Sequence, residues 1–280
     1  MIRVSNLCSL NFTRNASALE GESGYIQRFF ISDDVLIQLF SDSPNTIKGI
    51  LNGAEYPFTV TQIGDGLDAV YFHELHLSSD KWAAGCYTLI IKSGDIIFGE
   101  SDPFIVSSNE QDFEFSVKIT YTHNEGDVFL KTLFSNNQEF SIRLEGGFKS
   151  EFTTQNLENE QFRNEMQEIT NLYSIPYERK TLTIGDSLGV PIWVGKLLNA
   201  AFSLSTVRVD GVEYVRSDSS VPSLNKIKDN YPLFNYTIGL EPAGNELSDN
   251  LVPDDLSAWI LHTGFWRNAG VWLNKGKWRF

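Results

Sequence analysis

Thr206-Val207-Arg208-Val209-Asp210-Gly211-Val212-Glu213-Tyr214-Val215-Arg216 consists of two runs rich in β-branched residues joined by an Asp-Gly pair. Asp-Gly tolerates positive φ at both central positions of a type I′ turn, so the stretch predicts a tight β-hairpin. Upstream, Arg179 to Gly185 predicts a strand ending on glycine. Ile192, Val194, Leu197, Leu198, Ala201 and Phe202 then fall near helical spacing and predict a helix over Val190 to Phe202 that packs on a sheet. Asp186 or Ser187 is its expected cap, with Pro191 near the first turn. Downstream, a loop containing Pro222 leads to a strand over Leu233 to Leu240.

Nearer the start, short β-rich runs alternate with turn chemistry. Tyr25 to Ile31, Val35 to Phe40, Thr46 to Leu51, Tyr56 to Ile63, Ala69 to Leu77, Cys86 to Ile91, Ile96 to Phe98 and Pro103 to Val106 predict strands, with turns at Asn52-Gly53 and Gly94-Asp95. This spacing predicts an immunoglobulin-like β-sandwich over residues 1–108. Ser107 to Asp112 is polar and is the expected linker. Residues 109–245 follow as a β-rich α+β domain with one helix. In it Phe113, Phe115, Val117, Ile119 and Tyr121 alternate as one face of a strand, and Phe129 to Phe134 and Phe140 to Leu144 are expected to pair nearby. Gln155 to Tyr173 fits two periods. Leu157, Phe162, Met166, Ile169 and Leu172 approach a helical stripe, while Met166, Glu168, Thr170 and Leu172 alternate as a strand, the reading preferred for the second half. The fold expected is therefore mainly β, ending in a C-terminal arm over residues 246–280.

A formal net charge of -14 argues against binding nucleic acid or an anionic membrane, since both need surplus basic side chains. No stretch approaches eighteen consecutive apolar residues and the start carries no signal-peptide pattern, so a soluble protein made in the cytoplasm is expected. Cys8 and Cys86 cannot make a disulfide framework; they could pair with each other if the first strand lies beside the strand holding Cys86, but buried free thiols are expected. His73 and His76, three apart in a strand, point to opposite faces and are expected to be partly exposed. Nucleophile-elbow, phosphate-loop and dinucleotide motifs are absent from the sequence. Asp33-Asp34 and Asp254-Asp255 read as turn and cap residues. No enzyme activity, metal or cofactor is expected.

Contact chemistry is concentrated in residues 259–280. Gly264-Phe265-Trp266-Arg267-Asn268-Ala269 is followed by Gly270-Val271-Trp272-Leu273-Asn274-Lys275 and by Gly276-Lys277-Trp278-Arg279-Phe280, a G-x-W-x-N-x repeat. Trp259 joins Trp266, Trp272 and Trp278 to place four of the six tryptophans there. As a small β-meander the repeat would close the second domain's own core. As an extended arm it would carry Trp266, Trp272 and Trp278 on one face, about 20 Å apart. Arg267, Lys275, Lys277 and Arg279 make this end basic on an acidic chain, which favours the arm. Trp259, Phe265, Trp266, Arg267, Trp272, Trp278, Arg279 and Phe280 are the expected partner-binding residues.

The strand Thr181 to Ile184, the G-V-P-x-W helix of Gly189 to Ala201 and the hairpin Thr206 to Arg216 resemble a domain of tail and virion structural proteins in phages of Bacteroides and relatives, including crAss-like phages. The half containing Gly85-Cys86-Tyr87 and Ser101-Asp102-Pro103-Phe104 is similar to the β-sandwich preceding that domain. The resemblance implies a virion component of the tail-hub type, in several copies around a symmetry axis, with other tail proteins as partners. From another class, a carbohydrate-binding module or surface adhesin would use exposed aromatic rings to stack on sugars. A glycosidase ranks behind both.

Overall fold

Strands bounded by turn residues dominate the computed structural model, which describes residues 2–12, 25–64, 69–123, 138–149, 153–185, 188–217, 220–229 and 231–244. The first eleven are β1 (Ile2–Val4), β2 (Gln27–Phe30), β3 (Val35–Ser41), β4 (Lys48–Leu51), β5 (Ala54–Pro57), β6 (Thr59–Ile63), β7 (Val70–Leu77), β8 (Gly85–Tyr87), β9 (Leu89–Ser93), β10 (Ile96–Glu100) and β11 (Phe104–Ser107). They form sheets ordered β1-β3-β7-β6, β10-β9-β4-β5 and β2-β11-β8. Two expected single strands are broken, each where the chain changes sheet. Pro57 ends β5 and the buried Phe58 turns the chain into β6; Thr88 likewise separates β8 from β9. Proline cannot donate to a ladder, which explains the first break. The first two sheets meet at Gly49, where an added Cβ would lie 2.7 Å from Leu75. Trp82 stacks on Phe29 at 5.8 Å and meets Phe104 edge-on.

Residues Val35 to Leu39 of β3 are all buried, Gln38 included. Strict alternation fails because β3 is covered on both faces. What covers the second face comes from later in the chain. The expected linker is a capped 3₁₀ turn, Glu110–Phe113, whose Asn109 side chain accepts from the Gln111 N–H. Phe113 lies in that turn, edge-on to Phe30 at 5.4 Å, and Phe115 is 74% exposed, so neither joins the predicted strand face. The contacts group Met1–Pro242 as one unit, and the 108/109 boundary expected from composition falls inside it. The physical reason is one continuous apolar core running from Leu7 through Tyr121 to Leu240.

The later elements are β12 (Ser116–Thr122), β13 (Phe140–Phe148), β14 (Thr154–Arg163), β15 (Ile169–Ile184), α1 (Ile192–Ala201), β16 (Thr206–Val209), β17 (Val212–Arg216), β18 (Ser223–Lys226) and β19 (Phe234–Pro242). Antiparallel pairing runs β12 to β13, β13 to β15, β15 to β19, β19 to β17, β17 to β16 and β16 back to β12. These six strands close a ring, which removes their free edges. The Asp210-Gly211 turn has φ of 49 and 85°, as type I′ requires. α1 begins after Pro191 with no side-chain cap; Asp186 and Ser187 lie outside the described residues. The other end of α1 is held by Arg216, whose Nε donates to the Phe202 carbonyl at 2.8 Å and whose Nη2 donates to the Asn199 carbonyl. A cation there meets the negative end of the helix dipole. Phe129 to Phe134 lie outside the described residues.

One cysteine and one histidine, Cys86 and His73, depart from expectation. Both thiols are free, and burial pushes the Cys8 thiol up to about 12. Cys86 is exposed because β8 ends its sheet. His76 is exposed and paired with Asp34, but His73 is fully buried, bonded through Nε2 to Ser41 Oγ at 2.7 Å. Partial exposure was expected of both. β7 packs against covered sheet on the His73 side.

Candidate interaction surface

β14 and β15 answer the ambiguity of Gln155 to Tyr173: both halves are strand, joined through Asn164 to Glu168. The turn is built locally. The Asn164 side chain accepts from the Glu168 N–H at 2.9 Å, and Gln167 adopts φ of 68° in place of the usual glycine. The helical spacing of the apolar residues is incidental: Leu157 and Phe162 lie on opposite faces of β14, and Met166 lies in the turn.

Only the inner end of β15 belongs to the closed ring. Lys180–Ile184 pair with β19, whereas Ile169 to Arg179 pair with β14 alone among the described residues. The burial of β15 follows this change, from exposed over Ile169–Tyr177 to buried over Leu182–Ile184. Thr154 to Glu178 is thus a two-stranded ribbon beyond the ring, with β14 a sheet edge left open by the described residues. Such a ribbon is marginal in water unless something packs on it, and its free edge is a template for another strand.

Register fixes its two faces. Tyr177, Ile175 and Tyr173 stand opposite Asn156, Glu158 and Glu160, and Phe162 continues that face beyond an irregularity at Glu160/Gln161. Tyr173 Oη donates to Glu158 Oε1 at 3.3 Å. The other face carries Leu157 opposite Pro176 and Arg163 opposite Ile169. Phe162, Leu157, Leu172 and Ile175 are all about half exposed, and Met166 at the tip is 82% exposed. From Thr154 to Glu178 there are five glutamates, at 158, 160, 165, 168 and 178, against the single Arg163. The surface is apolar, aromatic and acidic together.

Other polar groups drawn together are buried ties between early and late strands. Asp33 is bound by Arg143 through Nε at 2.8 Å and Nη2 at 2.9 Å, and by Lys118 at 3.2 Å. Burial works to raise its pKa, but the hydrogen bonds and charge of Arg143, the Phe30 N–H and Lys118 hold the carboxyl below the usual carboxylate range. Asp33 is therefore a buried ionic anchor and not merely a turn residue. Glu74 accepts from Gln38 at 2.9 Å and from Gln138 at 3.0 Å. The notch lined by Tyr25, Arg28, Phe113, Arg143 and Glu145 has a cavity volume of ≈ 10 Å³. That is room for about one water, against the ~300 Å³ at which small-molecule sites begin.

Trp259, Phe265, Trp266, Arg267, Trp272, Trp278, Arg279 and Phe280 lie outside the described residues. The sequence reading did not single out the ribbon as an exposed surface. The available signal was Tyr173, Ile175 and Tyr177 at period two with Glu158 and Glu160 upstream. No protein-family model matches the chain, and no curated protein matches it with significance. No helix among the described residues is long and apolar enough to cross a membrane.

Proposed function

We propose that the protein is a non-enzymatic structural component of a phage tail, a hub or adaptor, with several copies in a ring joined to neighbours through residues 246–280. The observation that carries the assembly reading is the ribbon Thr154 to Glu178, whose aromatic and aliphatic side chains are left exposed by the described residues. Soluble proteins rarely leave such surface uncovered without a partner. The placement in a tail rests on the motifs of Thr181 to Ile184, Gly189 to Ala201 and Thr206 to Arg216.

Light scattering and sedimentation velocity test it. The full chain should form a discrete oligomer, and the chain lacking residues 259–280 should be monomeric with a melting temperature within about 2 °C of the full chain. A full chain that stays monomeric and joins none of its virion neighbours overturns the proposal. The carbohydrate-binding reading draws support from Tyr173 and Tyr177, exposed on one face where they could stack on sugar rings. An intrinsic fluorescence spectrum unchanged by host glycans removes it.

A further inference from the structure

We infer that the open edge of β14 is the receptor for residues 271–279 of a second copy of this chain, added as an antiparallel strand. The inference rests on the self-assembly reading and names its docking site. Three observations select this occupant.

The first is the backbone. β14 is a ten-residue strand with a partner on one side only among the described residues, so it offers unpaired N–H and C=O groups over ~33 Å. The second is charge. Two β14 edges brought together would confront Glu158 and Glu160 with the same residues, which disfavours pairing of ribbon with ribbon. Residues 259–280 contain Arg267, Lys275, Lys277 and Arg279 and no acidic residue, the complement of the ribbon.

The third is register. In an extended strand Lys275, Lys277 and Arg279 share one face, and Trp272 and Trp278 share the other. Glu158 and Glu160 share one face of β14, and Leu157 and Arg163 share the opposite face. Setting Lys277 opposite Glu158 and Lys275 opposite Glu160 fixes all the remaining pairs. Leu273 then meets Phe162 on the acidic, aromatic face. On the other face Trp278 meets Leu157 and Trp272 meets Arg163, an apolar pair and a cation–π pair. Parallel addition with Lys275 opposite Glu158 and Lys277 opposite Glu160 would instead place Arg279 opposite Phe162, Trp278 opposite Gln161 and Trp272 opposite Gln155. Only the antiparallel register matches both faces.

Charge exchange in the full chain tests this, because Glu158 and Glu160 are exposed and their replacement leaves the core untouched. The variants E158K/E160K and K275E/K277E should each raise the dissociation constant of the oligomer on the order of tenfold or more by sedimentation. The chain carrying all four substitutions should recover most of that loss, and a mixture of the two double variants should co-assemble. If the wild-type oligomer is lost on deleting 259–280 yet both double variants assemble normally, the receptor lies elsewhere and the inference fails while the assembly reading stands. Loss in both double variants without recovery in the fourfold variant also overturns the pairing. A monomeric wild type overturns the inference, and the reading beneath it falls too only if the chain also joins none of its virion neighbours.

Discussion

Asp33 shows how one side chain can join two stretches of sequence that composition separates. It follows the Phe30 strand end, accepts the Phe30 N–H at 2.8 Å and receives a two-pronged bond from Arg143 on β13. Arg143 in turn lies over the Phe113 ring at 5.1 Å. Because the folded carboxyl titrates below its unfolded value, its contribution is present above about pH 4 and is lost as pH falls through the folded value. Asp33→Asn keeps the size but leaves Arg143 facing a neutral partner, and should cost about 3 kcal/mol in urea unfolding at pH 7. The variant should also lose less stability than the wild type between pH 5 and pH 3; an equal acid loss in both would place the sensitive group elsewhere. His73 acts at a higher pH. Burial lowers its pKa, so the unfolded chain takes up the proton first and stability declines as pH falls below about 6.5.

Among elements, α1 carries a residue whose two physical effects have opposite sign. Gly195 sits in mid-helix, where alanine is preferred by about 1 kcal/mol on propensity. An added Cβ, however, would lie 2.2 Å from the Tyr236 ring on β19, and Tyr236 is buried. Overpacking of this kind costs ~1–3 kcal/mol, so Gly195→Ala should lower the melting temperature, and a rise would show that Tyr236 can yield. The helix and the Asp210-Gly211 hairpin are legible in sequence because apolar spacing and turn chemistry agree there. The β14–β15 ribbon is less so, since its turn uses Gln167 at positive φ without glycine and its apolar residues serve both faces. The ring closure is not legible at all. It depends on β15 pairing with β19 across more than fifty residues, and no local pattern encodes a partner so distant.

For the whole molecule, the same logic separates what charge does at long and short range. A net charge of -14 repels copies of the chain from one another at low ionic strength. That repulsion is spread over the surface and is largely screened once the Debye length falls to ~10 Å near 0.1 M salt. Pairs such as Lys277 with Glu158, in contact on an added strand, are screened only at higher salt. Self-association should therefore strengthen from ~0.01 to ~0.1 M NaCl and weaken from ~0.1 to ~0.5 M, as read by sedimentation at fixed protein concentration. The second limb should be shallow, because tryptophan burial persists when charges are screened. E158K/E160K should lose that limb, having no attraction left to screen. Monotonic strengthening of the wild type up to 0.5 M would mean that apolar contact alone holds the copies together, and the acidic face of the ribbon would then have no part in choosing its partner.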